Sequence, residues 1–532
     1  MNFAPALIWP QPLNPLHSMV LSTLVATLPL MVVLVLMGIF RRSGLLSSGC
    51  GLVTAAMIAL LVWHMPAALV MWSAVYGFVY ALWPILWIVF GALWLYNLTQ
   101  DTGAFELLRR WMEENASGDA CIQAILVAFC LGALLEGSAG FGAPVAVTAC
   151  LLAGLGFEQS KAVIVALIAN TAPVAFGGMG IPIVALAGVT GLDLSKLSAA
   201  VGRQVPFLSL ILPAYLVWVI ARGAALRRRW PVALVAGVTF AGAQCLVSNL
   251  WGPYAADIIA ATASIAALLI FVRIRLPGVA VTGARRAALS LKQCFMAWLP
   301  WVMLAVVMIL WSSFKLLQWG QTMLAIPLLH NGVLITLYEK SYSAIYSFQP
   351  LGVGTAAVAA TALTALCSRV RGEVFWKSGL NAFHQLRVPG LTVILIVGLA
   401  YLYNYSGMAY TLGAAVALIG PPFPLLSGYL GWVACFLSGS DTASNLLFGN
   451  LQVAAAHQLH LSPILLAATN SSGAVAGKMI SPQNIAIGVT TVGLIGQEGR
   501  ILRATFWHSI LLAAAIGAVA FAQAYWLKGM IP

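Results

Sequence analysis

Long apolar runs alternate with short polar loops along most of this chain. The run at Met19–Phe40 is apolar throughout and is long enough to cross a bilayer, which takes roughly 20 helical residues. Strands of a membrane barrel would instead alternate polar and apolar residues. The pattern predicts an all-α polytopic membrane protein with about 12 to 14 membrane segments, some of them re-entrant. Further apolar runs lie at Leu45–His64, Met71–Leu98 (kinked at Pro84), Val205–Ile220, Pro231–Leu250, Ala255–Val272, Cys294–Trp311, Gly352–Leu366, Val388–Tyr403 and Thr505–Leu527.

Two zones interrupt this pattern, at residues 121–192 and 407–497, because glycine and proline divide their apolar runs into shorter pieces. Short interrupted segments in corresponding positions of two halves indicate the substrate site of a secondary transporter. The chain therefore divides into N-terminal spans (1–120), a first motif region (121–203), scaffold spans (204–406), a second motif region (407–497) and a C-terminal span (498–532).

The two zones carry nearly the same sequence. LLEGSAGFGAPVAV (Leu134–Val147) and IANTAPVAFGGMGIPI (Ile168–Ile183) correspond to FLSGSDTASNLLFG (Phe436–Gly449) and ATNSSGAVAGKMISPQN (Ala468–Asn484). The positions that reappear are Gly137-Ser138 as Gly439-Ser440, and Asn170, Gly177, Met179 and Pro182 as Asn470, Gly477, Met479 and Pro482.

Composition and charge agree with a membrane location. The chain is 62% hydrophobic and only 7% charged, with a net charge of +13. Because the basic residues cluster in short loops, the charge follows the positive-inside pattern and does not indicate nucleic-acid binding. The uncharged N-terminus is then outside and does not resemble a cleaved signal peptide, and the two copies are predicted to be inverted. The six clusters assigned to the cytoplasm are Arg41-Arg42, Arg109-Arg110, Arg222 with Arg227–Arg229, Arg273 to Lys292, Arg369 to Arg387, and Arg500 with Arg503.

Four acidic residues fall outside obvious loops. Glu136 and Asp441 lie inside the repeated motif, and an isolated buried charge usually faces a functional cavity. They are candidates for proton coupling; the alternative is that they cap a broken helix or pair with Lys478 or Arg203. Asp257 is interpreted as a helix N-terminal residue at the membrane interface, and Glu339 as half of an interfacial pair with Lys340.

The small polar residues of the motifs are candidates for substrate binding. Glycine and serine break a helix and leave N–H groups that attract an anion. This predicts helix N-termini at Gly137-Ser138 and at Gly439-Ser440. Asparagine both donates and accepts, so it suits a ligand with a carboxylate and a hydroxyl. The candidates in the second motifs are Asn170, Thr171, Asn470, Ser471 and Ser472; the alternative for all of these residues is close helix packing.

Lys478 is the preferred cation for a bound anion because it lies within the repeat, whereas Arg203 is also compatible with an interfacial anchor. The eight cysteines are dispersed and the histidines lack metal-ligand spacing, so neither a metal nor a cofactor is predicted. No P-loop or HExxH motif is present, which argues against an ATP-driven pump and an intramembrane enzyme. An ion gradient is the expected energy source.

These motifs resemble the L-lactate permease family, which includes the glycolate permeases. The similarity extends over nearly the whole chain, through LEGSAGFGAPVAV, NTAPVAFGGMGIPI, VGRQVPF, FLSGSDTASNLLF and GKMISPQ, and departs mainly around Ala325–Leu351. The resemblance implies a bacterial inner-membrane symporter that imports L-lactate, and often glycolate or D-lactate, with a proton. It also implies inverted repeats with re-entrant hairpins.

The candidate residues and the family resemblance lead to one hypothesis: electroneutral import of a 2-hydroxy monocarboxylate with one proton. The carboxylate would bind between the two helix N-termini and Lys478, and Asn170 and Asn470 would hold the hydroxyl. Glu136 is the preferred proton site because no cation lies near it in the sequence. A Na⁺-coupled carrier of another small organic acid is the alternative, with Ser138, Asn170, Ser440 and Asn470 as ion ligands. A monomer and a homodimer are both compatible with the sequence.

Overall fold

A computed structural model describes residues 8–115, 119–140, 142–275 and 289–532. The first seven residues, Phe141 of the first motif, and Arg285 and Arg286 of a predicted basic loop lie outside these ranges. The described chain is almost entirely helical, which confirms the predicted all-α membrane class.

The helices follow one another with short connections. Two π-helical segments, Ala81–Leu86 and Ala124–Leu131, join α3 to α4 and α6 to α7, and three 3₁₀ turns lie at Val174–Phe176, Leu316–Gln318 and Lys528–Met530. In chain order the helices are α1 (Met19–Gly38), α2 (Gly44–Leu61), α3 (Ala67–Tyr80), α4 (Trp87–Asp101), α5 (Ala104–Asn115), α6 (Ala120–Gln123), α7 (Gly132–Ser138), α8 (Ala143–Gly154), α9 (Gln159–Ala169), α10 (Gly177–Thr190), α11 (Leu194–Val201), α12 (Val205–Leu250), α13 (Ala256–Arg275), α14 (Leu291–Ser313), α15 (Val353–Cys367), α16 (Gly372–Tyr405), α17 (Met408–Ala417), α18 (Phe423–Ser438), α19 (Asp441–Gln458), α20 (Pro463–Lys478), α21 (Pro482–Thr491) and α22 (Glu498–Tyr525).

Nine helices of the described chain are long and apolar enough to cross a membrane, or ten if the bent pair Gln159–Ala169 and Val174–Thr190 counts as one span. Four shorter apolar helices, at Pro144–Gly154, α15, α17 and α18, accompany them. The prediction of about 12 to 14 segments included such short pieces. The kink predicted at Pro84 is present, since the preceding Trp83 has an extended backbone inside the helical run.

The helix α12 is a hairpin of two spans. Its backbone leaves the helical region at Arg222, with φ 59° and ψ −167°. The Ser209 hydroxyl donates to Oε1 of Gln244 across the hairpin at 2.9 Å. A Cβ added to Gly237 would lie 2.3 Å from the Leu210 carbonyl oxygen, so the two halves touch along their backbones. These halves match the two spans predicted at Val205–Ile220 and Pro231–Leu250.

Several basic clusters lie together on one face. Arg229 pairs with Asp119 at 2.7 Å. Arg273 donates to Oδ1 of Asn115 at 2.9 Å, which joins the end of α13 to the same connection between α5 and α6. This is the arrangement that a common cytoplasmic location of these loops predicts.

Two small sheets lie at the other end of α1, away from Arg41. Their strands are β1 (Trp9–Pro10), β2 (Thr322–Ala325), β3 (Val333–Ile335), β4 (Lys340–Ser341) and β5 (Ile345–Phe348). Strand β1 pairs in parallel with β3, β3 pairs antiparallel with β4, and β2 pairs antiparallel with β5. Glu339 is exposed in the turn between β3 and β4, and no ion pair joins it to Lys340 in the described chain. The two residues therefore do not form an ion pair with each other, and their position at the interface stays a prediction; the sequence of this region did not indicate a hairpin.

Helices α18 and α20 pack backbone to backbone through glycine. A Cβ added to Gly473 would lie 2.0 Å from the Gly428 carbonyl oxygen, and one added to Gly431 would lie 1.9 Å from that of Asn470. Small residues allow this close approach between membrane helices. The contact fixes the helix that carries Lys478 against the helix that precedes Asp441.

We expect Gly473→Val to destabilise the protein by about 3 kcal/mol or more, because neither backbone can yield without separating the two helices. Thermal unfolding of the purified protein in detergent measures this. Gly499→Ala is the matched control, since a Cβ at that position meets nothing within 4 Å. Equal unfolding temperatures for Gly473→Val and wild type would contradict the packing.

Candidate functional site

Both predicted zones are broken in the structure, at corresponding places. In the first motifs, α7 ends at Ser138 before α8, and α18 ends at Ser438 before α19. In the second motifs, α10 is interrupted at Gly178, Met179 and Gly180, which all have positive φ. The matching break in the second copy lies between α20, which ends at Lys478, and α21.

The broken segments of the two copies pack on each other reciprocally. Helix α8 of the first copy contacts α21 of the second, and α19 of the second copy contacts α10 of the first. Reciprocal contacts of this kind are what two related copies around a shared site would make. The inversion of the copies across the membrane stays a prediction.

A cavity of about 400 Å³ lies where the breaks meet. This central cavity has the size of typical small-molecule sites, roughly 300–1,000 Å³. Ser43 and Pro389 line the cavity and are close in sequence to Arg42 and Arg387 of the predicted cytoplasmic loops. The cavity therefore extends toward the face that carries these loops, which we call the basic face. Its polar wall contains Glu136, Ser440, Asp441, Thr442, Lys478, Gln483 and Asn484, and its apolar wall includes Ile85, Val89, Ile181, Ile396 and Leu446.

The strongest interaction at the central cavity is an ion pair between the two copies. The Lys478 ammonium lies 2.5 Å from Oε1 of Glu136, although 342 residues separate them in sequence. Glu136 is 2% exposed, and its other oxygen, Oε2, has no hydrogen-bond partner in the described chain. The premise that no cation lies near Glu136 is wrong, because folding brings Lys478 onto it. A Cβ on Gly177 would lie 2.6 Å from the same Oε1, so glycine leaves room for the pair.

Asp441 begins α19 on the same wall. Its Oδ2 accepts a hydrogen bond from the Ser471 hydroxyl at 2.8 Å, while Oδ1 has no partner among the described residues. Ser440 caps the helix by accepting from the Ala443 N–H at 3.3 Å. The predicted helix N-terminus at Gly439-Ser440 is therefore present and faces the central cavity.

The other predicted N-terminus is wrong. Gly137 and Ser138 are the last residues of α7, and the Ser138 hydroxyl donates to the Leu134 carbonyl at 2.7 Å. Neither residue lines the central cavity. The following helix begins only at Ala143, because the first motif contains additional glycines before Pro144.

The three candidates Asn470, Ser471 and Ser472 lie inside α20 and are occupied by neighbouring side chains. Asn470 donates to Oδ1 of Asn445 at 3.0 Å, and the Ser472 hydroxyl donates to Oε1 of Gln204 at 2.7 Å. None of the three lines the central cavity. Their contacts fit the packing alternative and, for Ser471, orientation of Asp441.

Asn170 and Thr171 occupy a different position from their counterparts. They follow the end of α9 and border a narrow crevice beside Lys478 and Asn484. Both are buried, and the Asn170 Oδ1 and Thr171 Oγ1 atoms have no partner within the described ranges. These oxygens lie beside Lys478, in a crevice that has no room for a water-sized molecule in this structure.

The structure also locates three residues that were not among the predicted substrate-binding and proton-coupling residues. Asn484 lines the central cavity and donates to the Ser481 hydroxyl at 2.8 Å; the motif ending SPQN already contained it. Arg203 lies away from the cavity and donates to Asn249 and to the Met530 carbonyl, as an anchor would. Asp257 begins a helix as predicted and is 1% exposed, so it lies inside the protein.

A family model described as L-lactate permease matches residues 22–527. The chain belongs to the L-lactate permease family. Membership confirms the resemblance seen in the motifs and makes the chain a multi-pass membrane transporter and not an enzyme.

Similar proteins of this family match over their full length. Glycolate permease GlcA of Escherichia coli K12 is 38% identical over 98% of this chain and 99% of its own. An L-lactate permease of Bacillus subtilis is also 38% identical, over 98% of this chain and 100% of its own. Among solved structures, the YdaH transporter of Alcanivorax borkumensis aligns with a TM-score of 0.46 and 15% identity, covering 84% of this chain and 86% of its own.

Proposed function

We propose that this protein imports L-lactate, and also glycolate and D-lactate, together with a proton across the cytoplasmic membrane of a bacterium. The family supports this, as do the names of the relatives, which are L-lactate and glycolate permeases. The observation that carries the proposal is the Lys478–Glu136 ion pair on the wall of the central cavity. It supplies one group for an anion and one group for a proton in the same place.

The polar wall of the central cavity suits a small 2-hydroxy acid. The substrate carboxylate pairs with the Lys478 ammonium, and the N-terminus of α19 at Ser440 adds N–H and hydroxyl donors. The Oδ1 atom of Asn484 is a candidate acceptor for the 2-hydroxyl group, while the amide nitrogen already donates to Ser481. Ile181 and Leu446 on the apolar wall face the methyl group of lactate, which glycolate lacks.

Coupling follows from the competition of two carboxylates for one ammonium. Without substrate, Lys478 pairs with Glu136. When Glu136 takes a proton it no longer needs a cation, and Lys478 is released to pair with the lactate carboxylate. Lactate with an ionised Glu136 would place two buried carboxylates against one cation, which low polarity makes costly. One lactate anion and one proton therefore enter together, and the loaded site carries no additional charge.

Asp441 is the second carboxyl group of the site. It lies in electrostatic range of both Lys478 and Glu136, and its Oδ1 is unpartnered in the described chain. A proton on Asp441 would remove a negative charge beside the incoming carboxylate. Asp441 is therefore a second proton-coupling candidate, while only Glu136 controls the release of Lys478.

A sodium-coupled carrier is the second candidate function. The unpartnered oxygens of Asn170 and Thr171 next to Lys478 are of the type that binds Na⁺ in transporters. In that case the cation, and not a proton, would accompany the organic acid. Ser138 and Asn470 are less suited as ligands than the sequence indicated, because both already have hydrogen-bond partners.

Uptake of labelled L-lactate into proteoliposomes distinguishes the two. We expect an inward proton gradient to drive accumulation in choline buffer without Na⁺, with unlabelled glycolate as a competitor. Collapse of the gradient by a protonophore should abolish accumulation. Uptake that needs Na⁺ and ignores the pH gradient would reject proton symport and support the second candidate.

A further inference from the structure

Asp257 is a buried carboxyl group that the coupling scheme does not use. It lies in the first turn of α13 and is 1% exposed. Its Oδ1 accepts a hydrogen bond from Nε2 of Gln244 at 2.8 Å, and Oδ2 has no partner in the described chain. No lysine, arginine or histidine of the described residues forms an ion pair with it. A buried carboxyl group in this situation needs either a proton or a bound cation.

The side chain of Asp257 contacts Gly137, the residue that follows Glu136. A Cβ added to Gly137 would be 2.8 Å from the Cβ of Asp257, so the backbone of α7 touches this side chain. Asp257 and Glu136 interact electrostatically. Only the backbone of one glycine thus separates the carboxyl group on the cavity wall from a second one that does not line the cavity.

Asp257 lies at the end of α13 that is away from the basic loops. About 27 Å of helix separate it from Arg275 at the basic end of α13, nearly the thickness of the hydrocarbon core. The central cavity extends toward that basic face. The segment Trp251–Ala255 precedes Asp257 at that end, and Trp251 is 37% exposed. An opening at this end of α13 would therefore lead to the extracellular face.

The segment Trp251–Ala255 contacts one of the helix breaks. A Cβ on Gly180 would lie 2.7 Å from the Cβ of Pro253, so the left-handed segment of α10 packs against Trp251–Ala255. Gln244 connects the same region to the first motif, because it also donates to the Ala172 carbonyl at 3.2 Å. A movement at the break in α10 would therefore change the surroundings of both Asp257 and the segment around Ala172.

We propose that Asp257 binds the transported proton first, on the extracellular side, and passes it over Gly137 to Glu136. The transfer breaks the O–H bond at Asp257 and forms one at Oε2 of Glu136, the oxygen that Lys478 leaves free. Asp257 becomes a carboxylate and takes the next proton from extracellular water. This inference rests on the proposed proton symport and adds the entry site for the proton.

The groups that face Asp257 support a proton and not a bound cation as its partner. Helix α7 contributes Glu136, α12 contributes the neutral Gln244, and the π-helical segment before α7 contributes Cys130, whose sulfur contacts Ser264 further along α13. Helix α10 has no charged residue, and the one charge of α14, Lys292, lies near the basic face. On these elements of the described chain, the only other buried side-chain oxygen without a partner is Oε2 of Glu136. These two oxygens fall short of the several oxygen ligands that hard cations such as Ca²⁺ and Mg²⁺ take.

The test compares Asp257→Asn with wild type in proteoliposomes, in two assays. Net uptake driven by a pH gradient requires the proton to pass, whereas exchange of labelled for unlabelled lactate at equal pH does not. We expect Asp257→Asn to lower net uptake on the order of 10- to 100-fold and to keep exchange within about twofold of wild type. Asp101→Asn, which removes an exposed acid, is the matched control and should change neither rate.

Each outcome decides between the inferences. Two results would overturn the role of Asp257 and leave proton symport intact. One is net uptake by Asp257→Asn equal to that of wild type, and the other is loss of exchange in a folded Asp257→Asn variant. Absence of pH-driven uptake in wild type overturns the proposed function itself and this inference with it. If Asp257→Asn does not fold, Gln244→Met decides. Without the Gln244 donor the Asp257 carboxylate is less stable, so half-maximal net uptake should move to a higher external pH; an unchanged profile overturns the proposal.

Discussion

Glu136→Gln is expected to exchange lactate but not to accumulate it. Glutamine has the shape of protonated glutamate and leaves the Lys478 ammonium without its carboxylate partner. Lactate can then bind without a proton, so the gradient no longer drives uptake. We expect pH-driven net uptake to fall by about 100-fold, the upper range of a coupling free energy, while exchange at equal pH stays within about threefold of wild type.

The same variant should show a second effect in solution. Lys478 is 8% exposed, and an unpaired charge at such a site costs about 3 kcal/mol. Glu136→Gln should therefore unfold at a lower temperature than wild type without lactate, and lactate should stabilise it more than it stabilises wild type. Glu373→Gln, at an exposed position on α16, is the control and should behave as wild type. Gradient-driven accumulation by Glu136→Gln would rule out Glu136 as the coupling residue.

Lys478→Met is expected to remove substrate binding. Methionine has a similar length but no charge, so the lactate carboxylate loses its cation in a buried site. A charge-assisted contact of about 3 kcal/mol corresponds to a loss of affinity of about 100-fold. Both net uptake and exchange should disappear at lactate concentrations that saturate wild type, and tryptophan fluorescence or calorimetry should detect no binding.

A double variant separates binding from stability. Lys478→Met alone leaves Glu136 buried without its cation, whereas Lys478→Met with Glu136→Gln removes both charges. The double variant should recover thermal stability and still not bind lactate. Lys196→Met, which removes an exposed lysine, should retain transport. Lactate exchange by the double variant would show that Lys478 does not bind the carboxylate.

The sequence predicted the broken zones because their cause is local. Both copies combine glycine with proline in apolar surroundings, and the breaks occur at Gly178–Gly180 and between Lys478 and Pro482. The N-terminus at Ser440 was predictable for the same reason, since serine is a preferred capping residue.

The differences between the copies were also present in the sequence but were masked by their similarity. Pro173 follows Asn170, and a proline cannot continue the hydrogen bonding of α9, so the helix ends before it. The second copy has Gly473 at that place, and α20 continues through Asn470 to Lys478. The equivalent asparagines therefore lie in different surroundings, one beside the crevice and one within a packed helix.

The sequence offered Lys478 as a possible partner of Glu136 or Asp441, but it did not indicate which pair forms. Glu136 and Lys478 are 342 residues apart, and only the packing of one copy on the other brings them together. For the same reason the sequence did not indicate that Asp257, from outside both repeats, is buried against Gly137 of α7. Contacts between distant segments depend on the fold, whereas helix breaks depend on neighbouring residues.

Proton uptake on lactate binding tests the central claim most directly. Purified protein in weakly buffered detergent solution with a pH indicator is mixed with L-lactate under conditions where the Lys478–Glu136 ion pair is formed. If lactate takes Lys478 from Glu136, each lactate bound should remove about one proton from solution, and Glu136→Gln should remove none. Lactate binding by wild type without proton uptake would contradict the account, because the two carboxylates would then not compete for Lys478.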